Sequence, residues 1–281
     1  MTQGPVLVLG GTGKSGRRVA SLLRAQGTPF RPASRSGEPP FDWTDPTTWD
    51  LALKDVKAVY VVPLDGAVLT RPFVERAVEL GVERIVLLSG RGLDTPGYAD
   101  EDGDVGETHR DGERAVRACG AAWTIVRPGW FAQNFSEGFF RDAVLAGELR
   151  LPAGDGAVSF VDAEDIAAVA VAALTEDGHA GQVYELSGPR ALTIAEAAAE
   201  ISRATGREVR YVPLTTDEYV AELLGQGLPL PDARAYDTII SPIRRGMDAH
   251  LSDGVQRALG RRPRDFADFA ARAAAAGAWD G

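Results

Sequence analysis

Three glycines spaced three apart, in Gly10-Gly11-Thr12-Gly13-Lys14-Ser15-Gly16, follow the apolar run Val6-Leu7-Val8-Leu9 and precede the helical pattern Val19 to Leu23. A strand, a glycine turn and a helix in that order present unsatisfied backbone amides and a favourable helix dipole to an anion. Gly10 permits the sharp turn, Gly13 has no side chain to hold a phosphate off the backbone, and Gly16 lets the helix close on the strand. With Thr12, Lys14 and Ser15 completing the turn, the chemistry predicted is the binding of a dinucleotide pyrophosphate.

Further residues extend that site. Ser34-Arg35-Ser36-Gly37 lies about twenty residues on, where an NAD site usually places Asp or Glu on the ribose 2′-hydroxyl. A hydroxyl and a guanidinium suit a 2′-phosphate instead, so NADP(H) is expected in preference to NAD(H), with Ser34 and Arg35 as its ligands. Asp42 and Trp43, in Phe41-Asp42-Trp43, are candidates for an adenine pocket, and Trp43 serves equally well as a core plug. Pro63 and Leu64 leave the buried run Ala58 to Val62 and are expected to border the cofactor.

Proton chemistry has fewer candidates. Ser89 ends the apolar run Arg84 to Leu88, and His109 and Glu113 stand four residues apart, on one face of a helix. A histidine can act as acid or base near neutral pH, and a neighbouring carboxylate could hold it charged. The alternative is that His109 only borders the nicotinamide ribose or caps its helix. Tyr98, in the glycine- and acid-rich loop Arg91 to Gly106, is a second possible donor. Trp130, Phe131, Asn134 and Phe135 leave the strand Trp123 to Pro128 and suit a flat or aromatic substrate, although aromatics there also serve as packing residues. Cys119 is the one cysteine, which excludes an internal disulfide and a cysteine metal site, and no metal is expected.

Positioning these residues requires strands and helices in alternation. Short apolar runs ending near residues 9, 33, 62, 88 and 128 alternate with helical patterns near 19–23, 71–80 and 107–119, as in a doubly wound parallel sheet, the Rossmann fold. The later chain changes texture. Val158 to Val161 and Val183 to Leu186 read as short strands flanking an alanine-rich helix, and Thr193 with Glu196 forms a capping box. The expected division is a dinucleotide-binding unit over 1–187 and a smaller α/β substrate lobe over 188–281, to which 129–157 contributes.

The net charge of −10 and dispersed basic residues argue against nucleic acid as a partner. Arg261-Arg262-Pro263-Arg264 reads as a solvated turn before the last helix. No run is long and apolar enough to span a bilayer, and the first strand follows Met1 closely, so no membrane association, no signal peptide and a cytoplasmic protein are expected, as monomer or homodimer.

Taken together, the glycine turn, Ala33-Ser34-Arg35, Phe41-Asp42-Trp43, Trp123-Thr124-Ile125-Val126-Arg127-Pro128 and Gly260 to Phe266 resemble the NmrA-like atypical short-chain dehydrogenases. Within that group the Gly-Thr-Gly-Lys turn and Phe-Asp-Trp are most similar to the ergot-alkaloid reductases, which reduce an iminium with NADPH. The resemblance implies an NADPH-dependent reductase of a small imine or iminium, quinone or enone, in secondary metabolism. It also admits a non-catalytic redox sensor, or a redox-neutral biosynthetic enzyme on the same fold. The wider superfamily's Tyr-x-x-x-Lys is absent, since the comparable helix carries His109-Arg110-Asp111-Gly112-Glu113. Hydride addition to a cationic C=N carbon needs no acid, whereas an unactivated ketone needs a donor to the developing alkoxide.

Overall fold

The computed structural model describes residues 4–98 and 104–280. Its centre is a six-stranded parallel sheet. The strands β1 (Val6–Leu9), β2 (Phe30–Ala33), β3 (Ala58–Val61), β4 (Arg84–Leu88) and β5 (Ala122–Pro128) stand in the order β2-β1-β3-β4-β5. The order reverses between β1 and β3, which opens a crevice at the carboxyl ends of those strands. Two short strands, β6 (Glu148–Leu151) and β7 (Ala157–Val158), precede β8 (Gln182–Leu186), which adds to the free edge of β5. The expected Rossmann architecture is therefore present.

Strand periodicity explains why both faces are covered. In β1, Val6 and Val8 pack into one apolar cluster, while Leu7 and Leu9 pack into the other. The first cluster seats α1 (Gly16–Ala25) and, from later in the chain, the alanine-rich α7 (Ala163–Thr175). The second seats α2 (Trp49–Leu53) and α3 (Thr70–Glu79), and Val116 of α4 (Asp104–Ala118).

A third cluster forms the lobe. It joins α5 (Asn134–Glu137), α6 (Arg141–Ala146) and β6 to β9 (Leu192–Thr193), α8 (Ile194–Thr205), β10 (Arg210–Pro213), α9 (Thr216–Gly225), α10 (Leu230–Arg244) and α12 (Phe266–Ala275). Its strands pair as β10–β6 and β7–β9. The capping boxes of α8 (Thr193 with Glu196) and α9 (Thr215 with Glu218) are both formed.

Three features differ from the sequence reading. Of the run Val158 to Val161 only Val158 pairs, in the strand Ala157–Val158, and Val161 instead bridges Phe131. The helix α11 (Gly254–Leu259) returns to the sheet, with Val255 buried against α7 and β8. The arginines near 262 are not a solvated turn: Arg261 and Arg264 grip Asp165 of α7, whose side chain is fully buried. A buried carboxylate needs such partners, and they fix where α12 begins.

Candidate active site

The glycine turn has the geometry its residue types demand. Gly10 adopts φ +63, which favours glycine, and its carbonyl accepts from the Gly13 amide at 2.8 Å. A Cβ on Gly16 would run into the Gly10 carbonyl oxygen, so α1 packs this closely only with glycine there. A Cβ on Gly13 would meet only that oxygen, at 3.2 Å, so the turn is open toward solvent at its centre. Ser15 is buried and makes no side-chain cap, and the first turn of α1 contains no acid. An anion therefore meets uncapped amides, and the site fits a pyrophosphate.

Lys14 points elsewhere. Its ammonium donates to Asn134 Oδ1 at 2.8 Å, and a Cβ on Gly138 would lie 2.7 Å from its Cε. Burial, then the charges of Arg17 and Arg18, hold its pKa below that of a free lysine. Arg17 and Arg18 clasp Glu137, so α1 is tied to the lobe at three adjacent points.

Around the expected adenosine end, Arg35 is exposed and makes no ion pair among the described residues. Asp42 lies within its electrostatic reach, and its carboxylate accepts from the Thr44 amide and hydroxyl at 2.9 and 2.8 Å. Trp43 sits edge-on to Phe41, Trp49 and Phe73, and packs against the cluster beneath the sheet. Its ring is thus committed to packing on that side. Pro63 is buried and Leu64 exposed where β3 ends, and neither lines the cavity described next.

A cavity of about 670 Å³ opens at the carboxyl ends of β4 and β5. It gathers Lys14 from the glycine turn, Gly90 and Arg91 after β4, His109 from α4, and Trp130, Phe131 and Asn134 after β5. Ala235, Thr238, Ile239 and Pro242 of α10 close the far side. The lobe thus supplies one wall and the sheet the other. Trp130 stacks on Phe140 at 5.9 Å, which fixes its face toward the cavity. Phe135, read from the sequence with these aromatics, is fully buried in the lobe core and does not line the cavity.

The proton candidates separate. Glu113 is buried and turned to Arg127, which donates to it from Nε and Nη2 at 2.6 Å each, while Ser89 Oγ donates at 2.7 Å. Burial alone would raise the Glu113 carboxyl. The hydrogen bonds of Arg127 and Ser89, with the charges of Arg127 and Arg117, outweigh it and hold the pKa below the usual range. Glu113 and Ser89 therefore form a fixed pair behind the cavity. His109 does line the cavity, but burial lowers its pKa below 6.5 against the weaker opposing charges of Asp65 and Glu113. Among the described residues the carboxylate that pairs with it is not Glu113 but Asp65, which is exposed and 3.9 Å away.

Tyr98 also reaches the cavity, but its hydroxyl donates to the buried carboxylate of Asp248. Burial and that carboxylate raise its pKa far above a free tyrosine's, which makes it a poor acid. Sequence reasoning missed Arg91, Arg127 and Asp248. Arg127, a lone charge inside an apolar strand, was a usable signal of a buried ion pair. Arg91 and Asp248 carried none, because their meeting depends on the lobe folding back on the loop after β4.

Comparison with known proteins decides the family. Residues 10–177 match the NAD(P)H-binding family. The chain belongs to that family. An NAD(P)H azoreductase from Xenophilus azovorans is 37% identical over 97% of this chain and 99% of its own. An agroclavine dehydrogenase from Claviceps fusiformis is 32% identical, covering 94% of this chain and 95% of its own, which bears out the resemblance to ergot-alkaloid reductases. The NADP(H) complex of a triphenylmethane reductase from Citrobacter sp. shares the fold, with TM-score 0.75 at 22% identity over 96% of this chain and 99% of that one. The fold, the glycine turn and the family of this NAD(P)H-binding protein agree. Among the described residues no helix is long and apolar enough to cross a membrane, and no cluster of His, Cys, Asp or Glu has the make-up of a metal site.

Proposed function

We propose that this protein is an NADP(H)-dependent reductase that transfers hydride to a small, flat, conjugated electrophile: an iminium, a quinone or an enone. The observation that carries the reading is one cavity that brings Lys14 of the glycine turn together with Trp130 and Phe131. The reductase relatives support it, and the azoreductase adds the azo group as an acceptor to test. Reduced nicotinamide supplies the hydride when bound.

The chain's own residues bind, orient and exclude water. The turn Gly10 to Gly16, with Thr12 and Ser15, holds the pyrophosphate through uncapped amides. Ser34 and Arg35 hold the 2′-phosphate, Asp42 faces the adenosine side, and His109 borders the nicotinamide, with Ser89 behind it on Glu113. Residues 1–187 form the dinucleotide unit, while 188–281 with 129–157 cover the substrate. Burial lowers the pKa of His109, and Asp248 engages the Tyr98 hydroxyl, which makes both weaker candidates for proton donation. That favours acceptors already activated by charge or conjugation over simple ketones.

Titration with NADPH and NADH, followed by NADPH oxidation read at 340 nm across quinones, enones, cyclic imines and azo compounds, tests the reading. Binding with consumption in at least one class is expected. Tight binding with no consumption in any class would turn the reading to a redox sensor or a redox-neutral enzyme. In the same assay Arg35→Ala is expected to raise the NADPH Kd about tenfold or more, since it removes a charge-assisted contact of about 1.5–3 kcal/mol. The NADH Kd should move little. Equal NADPH affinity in the variant would remove Arg35 from the site.

A further inference from the structure

We infer that Lys14 is the acid of the reaction: its ammonium, held by Asn134 in the substrate cavity, protonates the oxygen of a reduced enone or quinone. The inference rests on the hydride transfer proposed above and narrows its substrate to oxygen-bearing acceptors.

The position of the amine carries it. Lys14 belongs by sequence to the phosphate turn, yet its side chain crosses to the lobe, runs over Gly138 and ends 2.8 Å from Asn134 Oδ1. Both residues line the cavity that also contains His109 and Trp130. One N–H is used by Asn134, and an ammonium has three. The remaining donors sit at the wall of a cavity in which, among the described residues, the Tyr98 hydroxyl donates to Asp248 and burial lowers the pKa of His109. Gly138 is what allows this approach, because a side chain there would occupy the path of the lysine.

The charges around the amine favour proton release. Arg17 and Arg18 flank it from α1, Glu137 of α5 and Glu164 of α7 are engaged by those arginines, and Arg91 and His109 line the same cavity. With burial first and the two arginines next, the ammonium is a stronger acid than a free lysine. Among the described residues that line the cavity none is a carboxylate, and the nearby Asp248 is engaged by the Tyr98 hydroxyl.

Hydride adds to the β-carbon of the enone, the C=C pair shifts to form an enolate, and the carbonyl oxygen takes the displaced C=O pair. The Lys14 ammonium gives that oxygen a proton and becomes an amine, which regains a proton from water. The enol then returns to the saturated ketone. In a quinone the same proton reaches the oxygen that gains the electron pair, completing a hydroquinone.

The test compares wild type with Lys14→Met, Lys14→Arg and Asn134→Ala, each checked for folding by circular dichroism. It reads NADPH Kd by fluorescence titration, and kcat on a cyclic enone and a cyclic iminium over pH 6–10. Lys14→Met is expected to lower kcat on the enone by about 100-fold, a typical loss for a general acid, and on the iminium by less than a tenth of that factor. NADPH Kd should change less than about threefold, on the scale of a lost surface contact. Wild-type kcat on the enone should fall as pH rises through the Lys14 pKa. Lys14→Arg, a cation unable to give up its proton, should abolish that alkaline limb, and Asn134→Ala should shift it. A Kd raised tenfold or more, with kcat lost equally on both acceptors, would return Lys14 to the phosphate and overturn the proposal. A wild type that reduces the enone while Lys14→Met matches it overturns the lysine's role alone. A wild type inactive on every acceptor overturns the reductase reading and this role with it.

Discussion

Arg127→Leu is expected to destabilise the protein by about 3 kcal/mol, the lower end of the cost of stripping one partner from a buried ion pair. Both partners are buried: the Arg127 side chain is 9% exposed and that of Glu113 is 3% exposed. The estimate sits at the low end because Arg117, four residues along α4, still reaches Glu113 at 2.9 Å. The contact of Arg127 with the exposed Asp94 adds little. At roughly 2–4 °C per kcal/mol for a large domain, thermal denaturation should show the loss clearly.

The pH dependence gives a second reading of the same pair. In the wild type the folded-state pKa of Glu113 lies below its unfolded value of 4.5, so the pair's contribution is present above pH 4.5. That contribution disappears as pH falls through the folded-state value. Without Arg127 the depression is weakened or reversed, so the stability gap between wild type and variant should shrink on acidification. Glu113→Leu combined with Arg127→Leu should recover more than half of the single variant's loss, because no buried charge is left alone. A single variant within about 1 kcal/mol of wild type, a surface-pair value, would contradict this account.

The second large effect belongs to Gly16. Its Cβ would press on a backbone carbonyl, that of Gly10, rather than on the end of a flexible side chain. Gly16→Ala therefore forces α1 away from β1 or distorts the turn at Gly10. Overpacking of this kind costs about 1–3 kcal/mol, and it displaces the amides that would hold the pyrophosphate. A fall in melting temperature together with at least a tenfold rise in NADPH Kd is expected. Gly13→Ala separates the two effects, since its Cβ meets only one oxygen at 3.2 Å. It should lower affinity with a smaller loss of stability. Wild-type affinity in Gly16→Ala would show that the turn does not bind the dinucleotide.

What the sequence made legible follows from where the information lies. Strands β1, β3, β4 and β5 were readable because each is an apolar run bounded by turn residues, and both faces of a parallel strand are buried. The capping boxes of α8 and α9 are local, and the one at Thr193 was read directly. The edge position of β8 was not readable: its residues form a strand in any reading, but its pairing with β5 is a long-range fact. The same holds for α11, a short helix whose apolar Val255 gives no sign of which cluster it joins.

The site divides in the same way. The spacing of His109 and Glu113 correctly predicts adjacent positions on one helix, but not that Arg127 and Ser89 take Glu113 while His109 faces the cavity. Trp130 and Phe131 were legible as an aromatic exit, yet Phe135 has the same residue type and packs inward. Lys14 is the clearest case. Its place in the glycine turn suggests phosphate, and only the fold of α5 against α1 brings Asn134 to its ammonium.

The central claim is hydride transfer from a dinucleotide at the glycine turn to a flat acceptor in the adjoining cavity. A single turnover with NADPH deuterated at the transferable C4 position, and a cyclic enone as acceptor, tests it most directly. The account predicts one deuterium on the β-carbon of the saturated ketone, found by mass spectrometry and located by NMR, with one NADPH oxidised per ketone formed. Recovery of the enone unreduced and of NADPH unoxidised, with the same result for a quinone and a cyclic iminium and under conditions where binding is saturated, would contradict it.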